Sequence, residues 1–390
     1  MWFKISKDQD PRFPAQYILS NSHWLNADAG WQEIHTPYGF AYIKGYCFQR
    51  GINHVLAEEL FENPVPRYQG SFVAVLAYHD GRIVVTNDTT RACPVYRNDT
   101  ELAVGNLGMT AMQNVWSDAW VEITDQIHEH RWNAVPAVTH TRDFNSVVDE
   151  IHHLLTARFN WLAMNNDIVR VFYSGGIDTL TCISYLRALH VPFELVCAEH
   201  FDYDQFTIDN HSEIRGYWGY NQIHHYRRPT VFVTGACGDE YFLRGPATAN
   251  IMLMHLGKNM QQVLQPEHYH YLYFQGLEKS AIYARQQQDH EIQQAIQSKQ
   301  TTADYILRMC INDHQHWHLG HTITFTPFKD IQLLQLTLEL DDQNIIHAIV
   351  DASIQKALIQ KNEPELLNYL AKNKNQDRSG IYRLNEYLNI

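Results

Sequence analysis

The chain has 390 residues, long for one domain and comfortable for two, with 43 acidic against 30 basic side chains and a formal net charge of −13. That acidity argues against a general nucleic-acid surface, which needs a clustered positive excess, and a local strip such as Tyr226-Arg227-Arg228 does not reverse it. No stretch approaches the ~18 uninterrupted apolar residues of a membrane span, and the amino terminus lacks a signal peptide's basic and apolar regions, so the expectation is a cytoplasmic protein without a membrane partner.

From Gly39 to about Met109 the pattern is one of short β-like runs separated by turns: Phe40-Ala41-Tyr42-Ile43, then Ser71 to Tyr78, then Arg82-Ile83-Val84-Val85-Thr86. His79-Asp80-Gly81 reads as a hairpin turn, and hairpins this short give antiparallel sheet. Gln69-Gly70-Ser71-Phe72-Val73, followed by Thr86-Asn87-Asp88 and Cys93-Pro94-Val95-Tyr96, resembles the glutaminase domain of class II amidotransferases. There a Gly-x-Phe strand precedes an Arg-Asp segment and a Pro-Leu-Tyr strand. The resemblance implies an Ntn-hydrolase-like α+β domain with antiparallel sheets over residues 1–125. It departs at position 2, where those glutaminases expose an amino-terminal cysteine whose own amine is its base. Here Trp2 stands in its place, so the domain is expected to be a structural relic that releases no ammonia from glutamine. The stretch from about Val115 to Phe144, with mixed polarity, Pro136 and no sustained period, reads as a connection.

Phe144-Asn145-Ser146 opens a helix in which Val148, Ile151, Leu155 and Leu162 fall near one face. A strand over 168–173 then runs into Ser174-Gly175-Gly176-Ile177-Asp178-Thr179, a helix follows from about 179 to 189 with Leu180, Ile183, Leu186 and Leu189 on its buried side, and a second strand spans 193–197. This strand-helix-strand unit predicts a parallel, doubly wound sheet with ligands at the carboxyl ends of its strands. The hexapeptide itself reads as a pyrophosphate cradle. Two glycines clear the approach, the helix start presents N–H groups to an anion, and the Ser174 and Thr179 hydroxyls are placed to donate to phosphate oxygens. Asp178 is a first-turn carboxylate suited to the magnesium that accompanies a nucleoside triphosphate.

The motif resembles the PP-loop of the ATP pyrophosphatase superfamily, whose members cleave ATP between the α and β phosphates. The Walker A pattern is absent from the chain. A further buried strand, Thr230-Val231-Phe232-Val233-Thr234, runs into Gly235-Ala236-Cys237-Gly238-Asp239-Glu240. This segment is similar to the Gly-Glu-Gly-Ala-Asp-Glu of asparagine synthetases and β-lactam synthetases. The resemblance implies a PP-loop domain with helical additions over residues 140–390, in which Ser174, Gly175, Gly176, Asp178, Thr179 and Gly235 bind ATP and pyrophosphate while Asp178 and Asp239 hold Mg2+. The adenine would lie at the end of the 193–197 strand against the backbone of Cys197 and Ala198, which ordinary sheet roles explain equally well.

Farther along, His314 to His321 through Thr326-Pro327-Phe328-Lys329-Asp330 resembles the family stretch ending in Arg-x-Pro-Phe-Leu-Asp, which lines the acyl-substrate pocket. On a helix His314, His318 and His321 would share a face, so a transition-metal site and a neutral polar pocket both stay open. The Gln-rich run 286–300 reads as a solvated helix face. Ala371-Lys372-Asn373-Lys374 followed by Ser379-Gly380 resembles the family's Arg-x-Lys-x-Gly-Phe region, making Lys374 the match for the catalytic lysine and Lys372 that for the arginine. Six cysteines without a Cys-x-x-Cys pair fit reduced core thiols.

The resemblances together imply a carbon–nitrogen ligase that adenylates a small-molecule or peptide carboxylate with MgATP, releases pyrophosphate and passes the acyl group to an amine or ammonia. Ala236 replaces the family residue that orients the amine, leaving His224, His225 or the 314–321 cluster as alternative bases. A PP-loop enzyme acting on a nucleic acid or nucleobase and a degenerate nucleotide-binding partner are the competing readings, and a homodimer stays open.

Overall fold

The computed structural model describes residues 3–20, 22–90, 95–104, 113–115, 119–132, 138, 140–164, 168–173, 176–197, 230–258, 293–294, 296–307 and 322–370. It is a mixed α/β protein of two compact units. One comprises 1–134, 201–231 and 312–325; the other comprises 135–200, 232–311 and 326–390.

The first unit carries twelve described strands before residue 132: β1 (Phe3–Ser6), β2 (Ala15–Ser20), β3 (His23–Ala27), β4 (Gln32–Thr36), β5 (Gly39–Cys47), β6 (Gly70–Tyr78), β7 (Ile83–Asn87), β8 (Val95–Arg97), β9 (Leu102–Val104), β10 (Gln113–Asn114), β11 (Ala119–Ile123) and β12 (Ile127–Arg131). They form two six-stranded sheets in the orders β10-β8-β9-β1-β3-β2 and β12-β11-β7-β6-β5-β4, joined by antiparallel pairs. The sheets meet through Tyr17 and Tyr42, whose rings lie 4.7 Å apart, and through Arg97 and Glu129 at 3.4 Å. On the second sheet's other face sits helix α1 (His54–Glu62), capped by the Asn53 side chain, which accepts from the Leu56 N–H at 3.0 Å.

Strand β6 is interior, and both of its faces are apolar. Phe72, Ala74 and Leu76 pack toward Leu56, Leu60 and Phe61 of α1, and Val73 and Val75 are equally buried on the opposite face. Each such Phe, Val or Leu contributes about 1.5–3 kcal/mol by leaving water. The turn expected at His79-Asp80-Gly81 is there: the Tyr78 N–H donates to the Arg82 carbonyl at 2.9 Å, and the Asp80 carboxylate accepts from the Arg82 N–H at 3.0 Å.

One expectation is overturned. The stretch after Val115 is not a plain connection, because β11 and β12 form a hairpin that extends the second sheet, with Val121 opposite Val85. Ala119, Val121 and Ile123 are buried in strict alternation, a period of two that spans only five residues and is outweighed in sequence by its polar flanks.

In the second unit, α2 (Phe144–Met164) buries Val148, Ile151, Leu155 and Leu162 as its period requires. It also buries Arg158, whose guanidinium pairs with Asp330 and donates to the Pro327 carbonyl. Strand β13 (Ile168–Tyr173), helix α3 (Ile177–Ala188) and strand β14 (Glu194–Cys197) form the expected strand-helix-strand unit, and β13 and β14 run parallel with Arg170 opposite Glu194. With β15 (Thr230–Val233), whose last two residues belong to this unit, they follow the sheet order β14-β13-β15. Helix α3 starts two residues earlier than its apolar spacing suggested, and Asp178 lies in its first turn as the cradle reading expected.

Six more described helices follow: α4 (Gly238–Tyr241), α5 (Pro246–His255), α6 (Lys299–Tyr305), α7 (Ile331–Leu338), α8 (Asp342–Asp351) and α9 (Ser353–Asn362). Helix α6 begins within the Gln-rich run, where Ser298 and Thr301 form a capping box. Helix α9 lies on α3, with the Asn362 amide donating to Ser184 Oγ at 3.1 Å. No helix among the described residues is long and apolar enough to cross a membrane.

Candidate functional site

The first acidic loop is built by a helix start that has no side-chain cap. Gly176 is the N-cap of α3, so no side chain is available there to cap the first-turn N–H groups, and Asp178 follows within that turn while Thr179 is buried beneath it. The second loop leaves β15 through Thr234, whose hydroxyl accepts from the Ala236 N–H at 3.1 Å. Cys237 then turns the chain with φ of 66°, in the left-handed region, where the resembling motif has glycine. The short helix α4 begins immediately afterwards and carries Asp239 and Glu240 at its start.

The two loops touch. A Cβ on Gly235 would lie 2.5 Å from the Thr179 nitrogen, and one on Gly238 would lie 2.4 Å from Asp178 Oδ1. The first would collide with backbone and the second would force the Asp178 side chain to shift, so glycine at both positions lets the second loop rest on the first turn of α3 undisturbed. Asp178 and Asp239, sixty-one positions apart in the chain, are thereby brought to one place.

Two side chains that sequence reasoning did not single out complete the arrangement. Arg244 Nη1 lies 2.9 Å from Asp239 Oδ1 and 4.0 Å from Asp178 Oδ1, so one guanidinium faces both carboxylates. Its backbone is held to the same residue, since the Arg244 and Gly245 N–H groups both donate to the Asp239 carbonyl, after Leu243 has reversed the chain with φ of 60°. From α9, Gln355 Nε2 donates to Asp178 Oδ1 at 3.0 Å. The Arg244 side chain retains 8% of its exposure, against 14% for Asp178 and 27% for Asp239. At such partly buried positions two unit charges 4 Å apart interact by about 4 kcal/mol. No local signal marked either residue, because Gln355 arrives from 177 positions away and Arg244 follows a non-glycine left-handed turn.

Cysteine chemistry does not belong to this site. Burial pushes the Cys182 and Cys237 thiols well up, so neither is a thiolate nucleophile near neutrality. The segment 326–330 is buried throughout. Phe328 packs on Phe242 with ring centres 5.5 Å apart, and Asp330 both pairs with Arg158 and caps α7 by accepting from the Gln332 N–H at 2.6 Å. Its described contacts are those of a brace within the fold. At the far end of α3, Arg187, His190, Pro192, Phe193, Asn362 and Glu363 border an open depression of about 670 Å³, crossed by an Arg187–Glu363 ion pair at 3.0 Å. The acidic loops do not reach it.

Trp2, Ser174, Gly175, Ala198, His224, His225, His314, His318, His321, Lys372 and Lys374 lie outside the described residues, as does the side chain of Cys197. Among the described residues no group of three or more His, Cys, Asp or Glu side chains gathers into a metal set. Two carboxylates are nevertheless enough for magnesium, which takes one or two from the protein and completes its shell with water and phosphate oxygens. The hard oxygen donors of Asp178 and Asp239 fit that ion. No protein-family model matches the chain, and no curated protein does.

Proposed function

We propose that the protein is an ATP-dependent ligase that adenylates a carboxylate substrate, releases pyrophosphate and transfers the acyl group to an amine or ammonia. The observation that carries this reading is the packing of two acidic loops, each at the end of a strand, so that Asp178 and Asp239 converge beside a helix start capped by glycine. The family resemblance of both loops supports it, as does the parallel β13–β14 pair, which suits a doubly wound PP-loop domain.

In this reading the α3 amino terminus binds the phosphate chain through its N–H groups, with Ser174, Gly175 and Gly176 forming the cradle. Asp178 and Asp239 hold the Mg2+, and Gln355 orients Asp178. MgATP supplies the electrophilic α-phosphate and the leaving pyrophosphate. Lys374, with Lys372 near it in sequence, neutralises charge developing on the acyl centre. In the resemblance to class II glutaminases the first unit contributes scaffold rather than ammonia, since the Trp2 indole cannot replace their cysteine thiol as nucleophile.

Radiolabelled pyrophosphate supplied with MgATP and a panel of small carboxylates tests the reading, because exchange of label into ATP needs a reversible adenylate and no amine. Exchange with at least one carboxylate is the expected result. Formation of ADP and orthophosphate would overturn adenylation, and silence across the panel would favour a nucleotide-binding partner without turnover.

A further inference from the structure

Arg244 stands where a divalent cation would be expected to act. Its guanidinium is 2.9 Å from one of the two carboxylates and 4.0 Å from the other, its side chain is almost fully buried, and its backbone is tied to the Asp239 carbonyl. A positive charge in that position lowers the attraction of the pair for a metal ion. A metal drawing on both carboxylates must loosen the guanidinium's hold on them, and in a nearly dry site that loss is costly unless another anion takes their place. The anion that arrives together with the metal in a nucleotide complex is a phosphate, and planar guanidinium donors match phosphate oxygens.

We propose that Arg244 is an internal counter-cation for Asp178 and Asp239, exchanged for a divalent metal only when a polyphosphate enters to receive its guanidinium. This rests on the reading of the two aspartates as the metal-holding pair. It makes metal and phosphate binding mutually dependent, so the free protein holds its carboxylates in position without metal and admits the cation as a phosphate complex.

The test uses the full chain and measures Mn2+ retained with the protein on ultrafiltration, with and without inorganic pyrophosphate. Pyrophosphate should tighten Mn2+ binding to the unmodified protein by at least about tenfold. Arg244→Gln should hold Mn2+ without pyrophosphate at least about tenfold tighter than the unmodified protein, a difference of about 1.4 kcal/mol, and should gain less from pyrophosphate. Arg244→Lys keeps the charge and should stay close to the unmodified protein in metal alone. Equal Mn2+ affinity of the Gln variant and the unmodified protein overturns the proposal. If the Gln variant fails to fold by circular dichroism, the unmodified protein decides: the same Mn2+ affinity with and without pyrophosphate overturns it, and the tightening supports it. Retention of Mn2+ by Asp239→Asn equal to that of the unmodified protein overturns both this proposal and the metal assignment beneath it. Absence of pyrophosphate exchange, with the Mn2+ results as expected, would remove adenylation and leave the counter-cation in place.

Discussion

Asp88 in the first unit and the Asp178–Asp239 pair in the second are all carboxylates in folded surroundings, but they are used differently. Asp88 is fully buried, and its oxygens accept from the Phe72 N–H at 3.1 Å, the Thr90 N–H at 2.9 Å and the Thr90 hydroxyl at 2.6 Å. Those bonds tie the end of β7 back to β6, so the carboxylate is consumed by the fold. Asp239 remains more than a quarter exposed, and the group it shares with Asp178 is a side-chain cation, Arg244. The same contrast holds for cations. Lys44 is buried against Asp28 at 2.5 Å and the Ala29 carbonyl at 2.6 Å, a closed structural pair, whereas Arg244 lies between two carboxylates at unequal distances. A buried charge therefore points to function when its partners converge with remaining exposure, and to architecture when nearby backbone and side-chain partners close around it.

The largest expected effect breaks that contrast by substitution. Asp178→Asn and Asp239→Asn should each reduce pyrophosphate exchange by about 10²–10³-fold with the unfolding midpoint little changed, because they remove charge and keep volume. Asp88→Ala should do the reverse. Three donors lose their acceptor, so urea unfolding should report a loss of about 1–3 kcal/mol while exchange per folded molecule is retained. A strong exchange defect in the Asp88 variant would erase the distinction between the units.

A smaller effect sharpens it through glycine. Gly238→Ala places a methyl group 2.4 Å from Asp178 Oδ1, so the carboxylate must shift, and a displacement of about 1 Å in a reacting site costs about 10²-fold in rate. Gly81, in the first unit's hairpin turn, has φ of 92° and nothing within 4 Å of an added Cβ. Gly81→Ala should therefore cost about 1 kcal/mol of stability through the backbone alone and leave exchange unchanged. Steady-state exchange and urea unfolding of the two variants measure the difference.

The smallest effect is one of pH and should appear in both units. Burial holds the His23 and His152 imidazoles below their ordinary range, with Lys7 and Lys361 respectively adding to it; Asp149 opposes the shift at His152. Above that range both rings are neutral in the folded and unfolded chain alike, so they contribute no pH dependence. As pH falls through about 6.5 the unfolded chain takes up protons that the folded one resists, and stability is lost. His152 Nδ1 also lies 3.0 Å from the Tyr185 hydroxyl, so protonation disturbs the contact between α2 and α3. Urea midpoints measured from about pH 7.5 to 5.5 should decline, and His152→Gln should flatten part of the decline. An unchanged slope in that variant would assign the dependence elsewhere.

Much of this architecture was legible in the chain. Runs rich in β-branched and aromatic residues marked β6, β7 and β13, and the 3.6-residue spacing of Val148, Ile151, Leu155 and Leu162 marked α2. These signals are local, since each is carried by consecutive or regularly spaced residues of one element. The β11–β12 hairpin escaped because its alternation spans only five residues, and its partner strand β7 supplies the ladder that stabilises it. Arg158 within an amphipathic helix would ordinarily be read as a solvated charge, and only the Asp330 carboxylate and the Pro327 carbonyl, brought by a distant segment, make its burial tolerable.

By itself the sequence determined that two strand-end loops carry Asp178 and Asp239 and that a helix follows the glycine pair of the first. These depend on residue identity and short spacing. Only the tertiary structure decided that the loops touch, that Gly235 and Gly238 are required by that contact, and that Arg244 and Gln355 belong to the same site. The physical reason is range. A turn or a helix period is set within a few residues, whereas the meeting of charges from 178, 239, 244 and 355 depends on how α3, α4 and α9 pack, and no local pattern encodes that packing.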